Sequence, residues 1–153
     1  MNHLDIVRKV FSSIEEKNTG AVAPYLTPDF VFSGPVPEPV DGKSWLGLHD
    51  VLNVAFPDFS FNLQDLKAVG DDVRAVVQIT GTQKGSLDGS KMGMPVIPAS
   101  GKSIRLPKEG LLLEFRGDLI CEMKGEKVAG LQLCLHVILL QIKSYIIYII
   151  ILM

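Results

Sequence analysis

A chain of 153 residues carrying 21% charged residues and a net charge of −2 has the size of one domain with its own core. No basic block is present, which argues against nucleic acid as a partner, and no acidic run suggests a solvating tail. Cys121 and Cys134 fit no metal or redox spacing, and the opening MNHLDIVRKV lacks the apolar core of a secretory leader. A cytoplasmic location is therefore expected.

Asn2 is placed to cap a first helix, with Asp5 near its positive end. Leu4, Val7, Phe11 and Ile14 form one apolar stripe, and Asn18 to Gly20 stops the helix. A second short helix is predicted over about 21–26, limited by Pro24 and Pro28. Residues 29–33 (DFVFS) alternate as a strand, and the Gly/Pro-rich run after them is an extended loop. From Lys43 a third helix turns Trp45, Leu48, Leu52 and Ala55 inward and ends at Pro57. Strands are predicted over 60–69 and 73–82, joined by the turn Gly70-Asp71-Asp72. Residues 85–101 form a long polar excursion, the kind of loop that is usually functional or mobile. Strands then follow over 103–106, 111–115 and 119–124, with a break at Pro107-Lys-Glu-Gly and a turn at Gly117-Asp118. Helices first and a largely antiparallel sheet after them make an α+β domain.

The tail changes character. From Val128 to Met153 the chain is almost wholly apolar and ends rich in isoleucine. As a membrane span the stretch from Val137 is short of the ~20 residues required. It also carries Gln141 and Lys143, and a mid-span lysine costs about 2.5–3.5 kcal/mol. The expectation is a domain over 1–130 and a divergent or read-through tail over 131–153, with a tail anchor as the second reading.

Seven segments in order carry a family resemblance: LTPDFVF (26–32), DGK (41–43), AFPDFSFNLQDL (55–66), GDDVRAVVQITGTQKG (70–85), GMP (93–95), SGKSIRLP (100–107) and EFRGDLI (114–120). In combination the chain resembles the SnoaL-like polyketide cyclase family of the nuclear-transport-factor-2-like superfamily, whose fold is a cystatin-like α+β cone. The resemblance implies a curved, largely antiparallel sheet wrapped around N-terminal helices as a conical half-barrel with an internal pocket. It also implies a homodimer through the sheet. The chemistry in such families is ring closure by aldol reaction, isomerisation or dehydration, and the fold alone does not choose among them.

Enolate chemistry needs a base near the acidic C–H and a donor near the forming oxyanion. The resemblance assigns these to the strand after EFRGDLI, where Met123 and Lys124 hold the expected His/Trp positions and Gly125 the acidic one. Glu122 and Glu126 are the substitutes on that strand. The isomerase position before a proline is Ser33-Gly34-Pro35 and carries no acid. His49, one turn after Trp45, is either a pocket acid/base or a partly exposed helix histidine. Glu109 is either a cavity carboxyl or a solvated turn residue. Arg105 and Lys108 either hold a ligand carboxylate or pair across strands.

The pocket is expected to be lined by Phe32, Trp45, Phe61, Val77, Met92, Met94 and Leu113, with the methionine-bearing loop as an adaptable lid. No zinc-ligand spacing, nucleotide loop or G-x-S-x-G motif is present, so any chemistry is expected to need no cofactor or metal. The expected partner is a small hydrophobic, polyketide-like molecule. The alternative is a non-catalytic binding or dimerisation module.

Overall fold

The computed structural model describes residues 1–33, 38–92 and 96–126. The apolar tail therefore lies outside the described residues. Helix α1 spans His3–Glu15, and the Asp5 N–H donates to Asn2 Oδ1 at 2.8 Å, as the capping pattern predicts. Its buried stripe is wider than the spacing from Leu4 suggests, because Ile6 and Val10 join Val7, Phe11 and Ile14. In place of one short second helix, two single 3₁₀ turns occupy Thr19–Ala21 and Ala23–Tyr25. Pro24 lacks the N–H that a longer helix would use.

Helix α2 spans Gly42–Ala55, capped by Asp41, whose Oδ1 accepts the Ser44 N–H at 2.7 Å. Trp45, Leu48, Leu52 and Ala55 are all buried, as their spacing predicts, and His49 and Asn53 join them.

Ten strands follow in chain order: β1 Leu26–Ser33, β2 Val40–Asp41, β3 Gln64–Val69, β4 Asp72–Val77, β5 Thr80–Thr82, β6 Leu87–Asp88, β7 Val96–Ile97, β8 Ser103–Arg105, β9 Glu109–Arg116 and β10 Leu119–Glu126. The main sheet has the order β2-β1-β10-β9-β4-β3. Only β1 and β10 run parallel in it, and the other neighbours are antiparallel. Two small ladders, β5-β8 and β6-β7, and an isolated antiparallel bridge between Ser60 and Thr80 complete the pairing among the described residues. The architecture is mixed α+β, with helices on one face of a largely antiparallel sheet.

Several boundaries differ from the alternation pattern. Strand β1 starts at Leu26, three residues before the prediction, and the stretch 85–101, read as a loop, carries the short strands β6 and β7. The strand predicted from Ser60 starts at Gln64, since Asn62 sits at positive φ and breaks the extended run. Asp65, also at positive φ, falls at a register shift inside β3. The returning strand divides into β4 and β5 at Gln78–Ile79. Strand β9 begins at Glu109, two residues before the predicted start.

One core joins these layers. Val7, Val10, Phe11 and Ile14 of α1 and Leu52 of α2 pack with Val73, Ala75 and Val77 of β4, Leu111 and Leu113 of β9, and Ile120 and Met123 of β10. This helix-covered side is the inner face of the sheet. Burying each large aliphatic or aromatic side chain contributes roughly 1.5–3 kcal/mol. No helix among the described residues is long and apolar enough to cross a membrane.

The end of α2 is fastened by one carbonyl. Lys84 N–H and Gly85 N–H both donate to Ala55 O, at 3.0 and 3.1 Å. A Cβ on Gly85 would stand 2.4 Å from Val54 O, so only glycine permits this approach. Gly85→Ala is expected to lower stability by about 1–3 kcal/mol in urea unfolding. Gly47→Ala, inside α2 with open space at its Cβ, should instead raise it by about 0.4–1 kcal/mol.

Candidate functional site

His49 lies within α2 and is 6% exposed, so it is not the partly exposed helix histidine that its position also allowed. Aromatic rings surround it. Its ring centroid is 4.6 Å from Trp45, 5.5 Å from Phe61 and 6.1 Å from Phe59. Phe30 and Phe32 extend the cluster from the other side of Trp45, at 5.6 and 6.3 Å. Off-parallel aromatic pairs of this kind contribute about 0.5–1.5 kcal/mol beyond their buried area.

His49 Nδ1 is 2.8 Å from the Trp45 carbonyl oxygen, one turn back. A carbonyl only accepts, so Nδ1 carries the hydrogen and Nε2 carries the lone pair. Nε2 makes no hydrogen bond among the described residues. Burial pushes the imidazole down to about 4, against the opposing pull of the Trp45 carbonyl and Asp50. At neutral pH His49 is an uncharged hydrogen-bond acceptor.

Glu109 opens β9 on the inner face. Its Cα partner is Val77, which is 3% exposed, and its side chain shares the strand face of Leu111 and Leu113. The early start of β9 is what moves Glu109 out of a solvated turn. Burial raises its pKa above the usual carboxylate value. Every other described carboxyl with a resolved shift is lowered: Asp29, Asp41, Asp58 and Asp88. Phe61 links the two groups, because its ring neighbours His49 while its carbonyl accepts the Gln78 N–H at 2.7 Å, next to Val77.

Glu122 and Glu126 stand on the opposite face. Strict alternation from the buried Ile120 would turn both inward. A one-residue register shift between Ile120 and Glu122 reverses the faces, so that Met123 becomes buried and Glu122 pairs with Glu114. Ser33 Oγ donates to Glu122 at 2.7 Å, and Lys124 Nζ stands 2.8 Å from Glu114 and 3.7 Å from Glu122. Glu114 and then Glu122 hold the Lys124 ammonium above its ordinary value. Glu126 takes Arg74 at 3.2 Å. These carboxylates are therefore separated by the sheet from His49 and Glu109.

Of the expected pocket-lining residues, Trp45, Phe61, Val77 and Leu113 are buried together on the inner side and Phe32 is partly buried beside them. The Met92 side chain and Met94 lie outside the described residues. Phe59, Phe30 and Met123 are buried in the same cluster and are not among the residues expected there. The Phe59–Phe61 alternation was the signal available for the first of them.

The His49 environment sets an acid limit on stability. Its folded pKa lies below its unfolded 6.5, so the unfolded chain takes up the proton first and stability falls as pH drops from 6.5 toward 4. Glu109 acts with the opposite sign, adding stability below 4.5 and losing it as pH rises through its raised folded value. His49→Phe, which keeps the aromatic packing, is expected to remove about 2–3 kcal/mol of the loss between pH 7 and pH 4.5 in denaturant titrations.

A family model described as SnoaL-like polyketide cyclase matches residues 4–125. No curated protein sequence matches significantly. Solved structures share the fold at low identity. A proposed SnoaL-like polyketide cyclase from Jannaschia sp. CCS1 is 20% identical with a TM-score of 0.65, over 81% of this chain and 83% of that one. IdmH of Streptomyces antibioticus, a proposed polyketide cyclase, is 20% identical with a TM-score of 0.64, over 82% and 91%. An uncharacterised cystatin-fold protein of Novosphingobium aromaticivorans is 14% identical with a TM-score of 0.62, over 83% and 99%. With the profile match spanning nearly all of the described domain, the chain belongs to the SnoaL-like polyketide cyclase family.

Proposed function

We propose that this chain binds an apolar, polyketide-like molecule against the inner face of the sheet and performs cofactor-free acid/base chemistry on it through Glu109. The observation that carries this reading is the inward Glu109, the one described carboxyl pushed upward. A raised carboxylate is a stronger base, which suits removal of a proton from carbon between two carbonyls. In an aldol closure Glu109 takes that proton, the enolate carbon attacks a ketone of the same chain, and the resulting alkoxide takes the proton back. His49 has its only N–H committed to Trp45, so its Nε2 would accept a ligand hydroxyl and orient the ring that forms.

A second reading is a binding or dimerisation module without catalysis. It is favoured by Glu122 and Glu126, which are engaged with cations on the outer face, and by the density of aromatic rings around His49. Homodimerisation through the sheet belongs with this reading.

Trp45 is the single tryptophan and lies inside the aromatic cluster, so its emission reports occupancy. Titration with a hydroxylated anthraquinone should quench it saturably. Glu109→Gln should keep that quenching while lowering turnover of a poly-β-ketone probe by about 10²–10⁴-fold. Undiminished turnover in Glu109→Gln would reject the acid/base role, and binding without turnover in the unaltered protein would favour the second reading.

A further inference from the structure

Thr80 at the start of β5 and Arg105 at the end of β8 line a groove that the proposed chemistry does not use. The groove has a volume of about 530 Å³ and is lined by Asn62, Gln64, Gln78, Thr80, Arg105 and Lys108. Specific ligands commonly occupy spaces of roughly 300–1,000 Å³. The lining holds two cations, three amides and a hydroxyl, and no carboxylate. In a chain of net charge −2, a groove of purely cationic and neutral polar character is a local exception.

Among the described residues, Arg105 makes no cross-strand ion pair, its ordinary use. Its Cα partner is Thr80, and neither Arg105 nor Lys108 has a carboxylate within salt-bridge distance among the described residues. The guanidinium is nevertheless oriented. Arg105 Nη2 donates to Gln78 Oε1 at 3.2 Å, and Gln78 is fixed by donating from Nε2 to the Leu106 carbonyl at 3.1 Å. Asn62, held at a φ of 46°, donates to the Gln78 carbonyl at 2.7 Å and to Thr80 Oγ1 at 2.9 Å. Gln64 Nε2 donates to the Asn62 carbonyl at 3.2 Å. This chain of amides spends one of the five guanidinium N–H donors and leaves four available.

We propose that this groove binds the oxyanion of a small molecule, a carboxylate or a phosphate. Arg105 supplies a planar fork suited to two oxygens, Lys108 adds a point charge, and the Thr80 hydroxyl, which accepts from Asn62, keeps its own proton to donate. Gln78 is a positioning residue that aims the fork. None of these side chains belongs to the inner-face site, so the groove and the proposed chemistry of Glu109 stand or fall separately.

The test is an amide NMR titration of the full chain at low salt, with succinate in one arm and inorganic phosphate in the other. Saturable shifts confined to residues 62–64, 78–80 and 105–108 are expected in at least one arm. The arm that saturates names the anion. Arg105→Gln and Lys108→Gln should each weaken binding about tenfold, and raising the salt should weaken it further. Gln78→Leu should weaken it less while leaving the chain folded. Shifts that fail to saturate in both arms, or that persist unchanged in Arg105→Gln, would overturn the proposal.

Discussion

The register shift in β10 decides what each face of the sheet can do. One extra residue between Ile120 and Glu122 brings Met123 into the core at 1% exposure and turns Glu122, Lys124 and Glu126 outward. Without it the same strand would bury three charged side chains, each at a cost of several kcal/mol unless paired. The bulge thus converts a strand of alternating charge into one that serves the core with Ile120 and Met123. It also strips the inner face of the carboxylates that β10 would otherwise supply.

What remains inside comes from other elements. Strand β9 delivers Glu109 because it pairs with β4 as far as Val77, and α2 delivers His49 one turn after Trp45. Both groups are held away from their ordinary titration by the same cause, burial, and in opposite directions. The imidazole loses its charge readily and the carboxyl gains its charge reluctantly. Neutral groups are what an apolar interior tolerates, and in the proposed function both would exchange a proton or a hydrogen bond with a ligand. That arrangement also makes acid the weak side of the fold, since protonating His49 opposes its aromatic surroundings.

Much of the scaffold is written locally. The Asn2 and Asp41 caps, the inward spacing of Trp45, Leu48, Leu52 and Ala55, and the turns at Gly70 and Gly117 all follow from short-range rules. The site was less legible because it depends on pairing. Glu109 sits beside Pro107 and reads as a turn residue until the antiparallel partner Val77 extends β9 to meet it. Strict alternation from Ile120 would turn Glu122 and Glu126 inward, and no residue in Cys121-Glu122 announces the bulge that reverses them. The exposure of His49 depends on Phe59 and Phe61, which reach it only after the chain has left α2. Arg105 reads as one half of a cross-strand pair, yet the residue that faces it is a threonine.

The central claim is that Glu109, alone among the glutamates considered for catalysis, faces the apolar interior. The most direct measurement is a pH titration of the glutamate side-chain carboxyl carbons by NMR, with Glu109 assigned by the signal lost in Glu109→Gln. The account predicts that the Glu109 carbon titrates above 4.5 and moves when an apolar ligand quenches Trp45. A Glu109 carbon that titrates at or below 4.5 and ignores the ligand would contradict it.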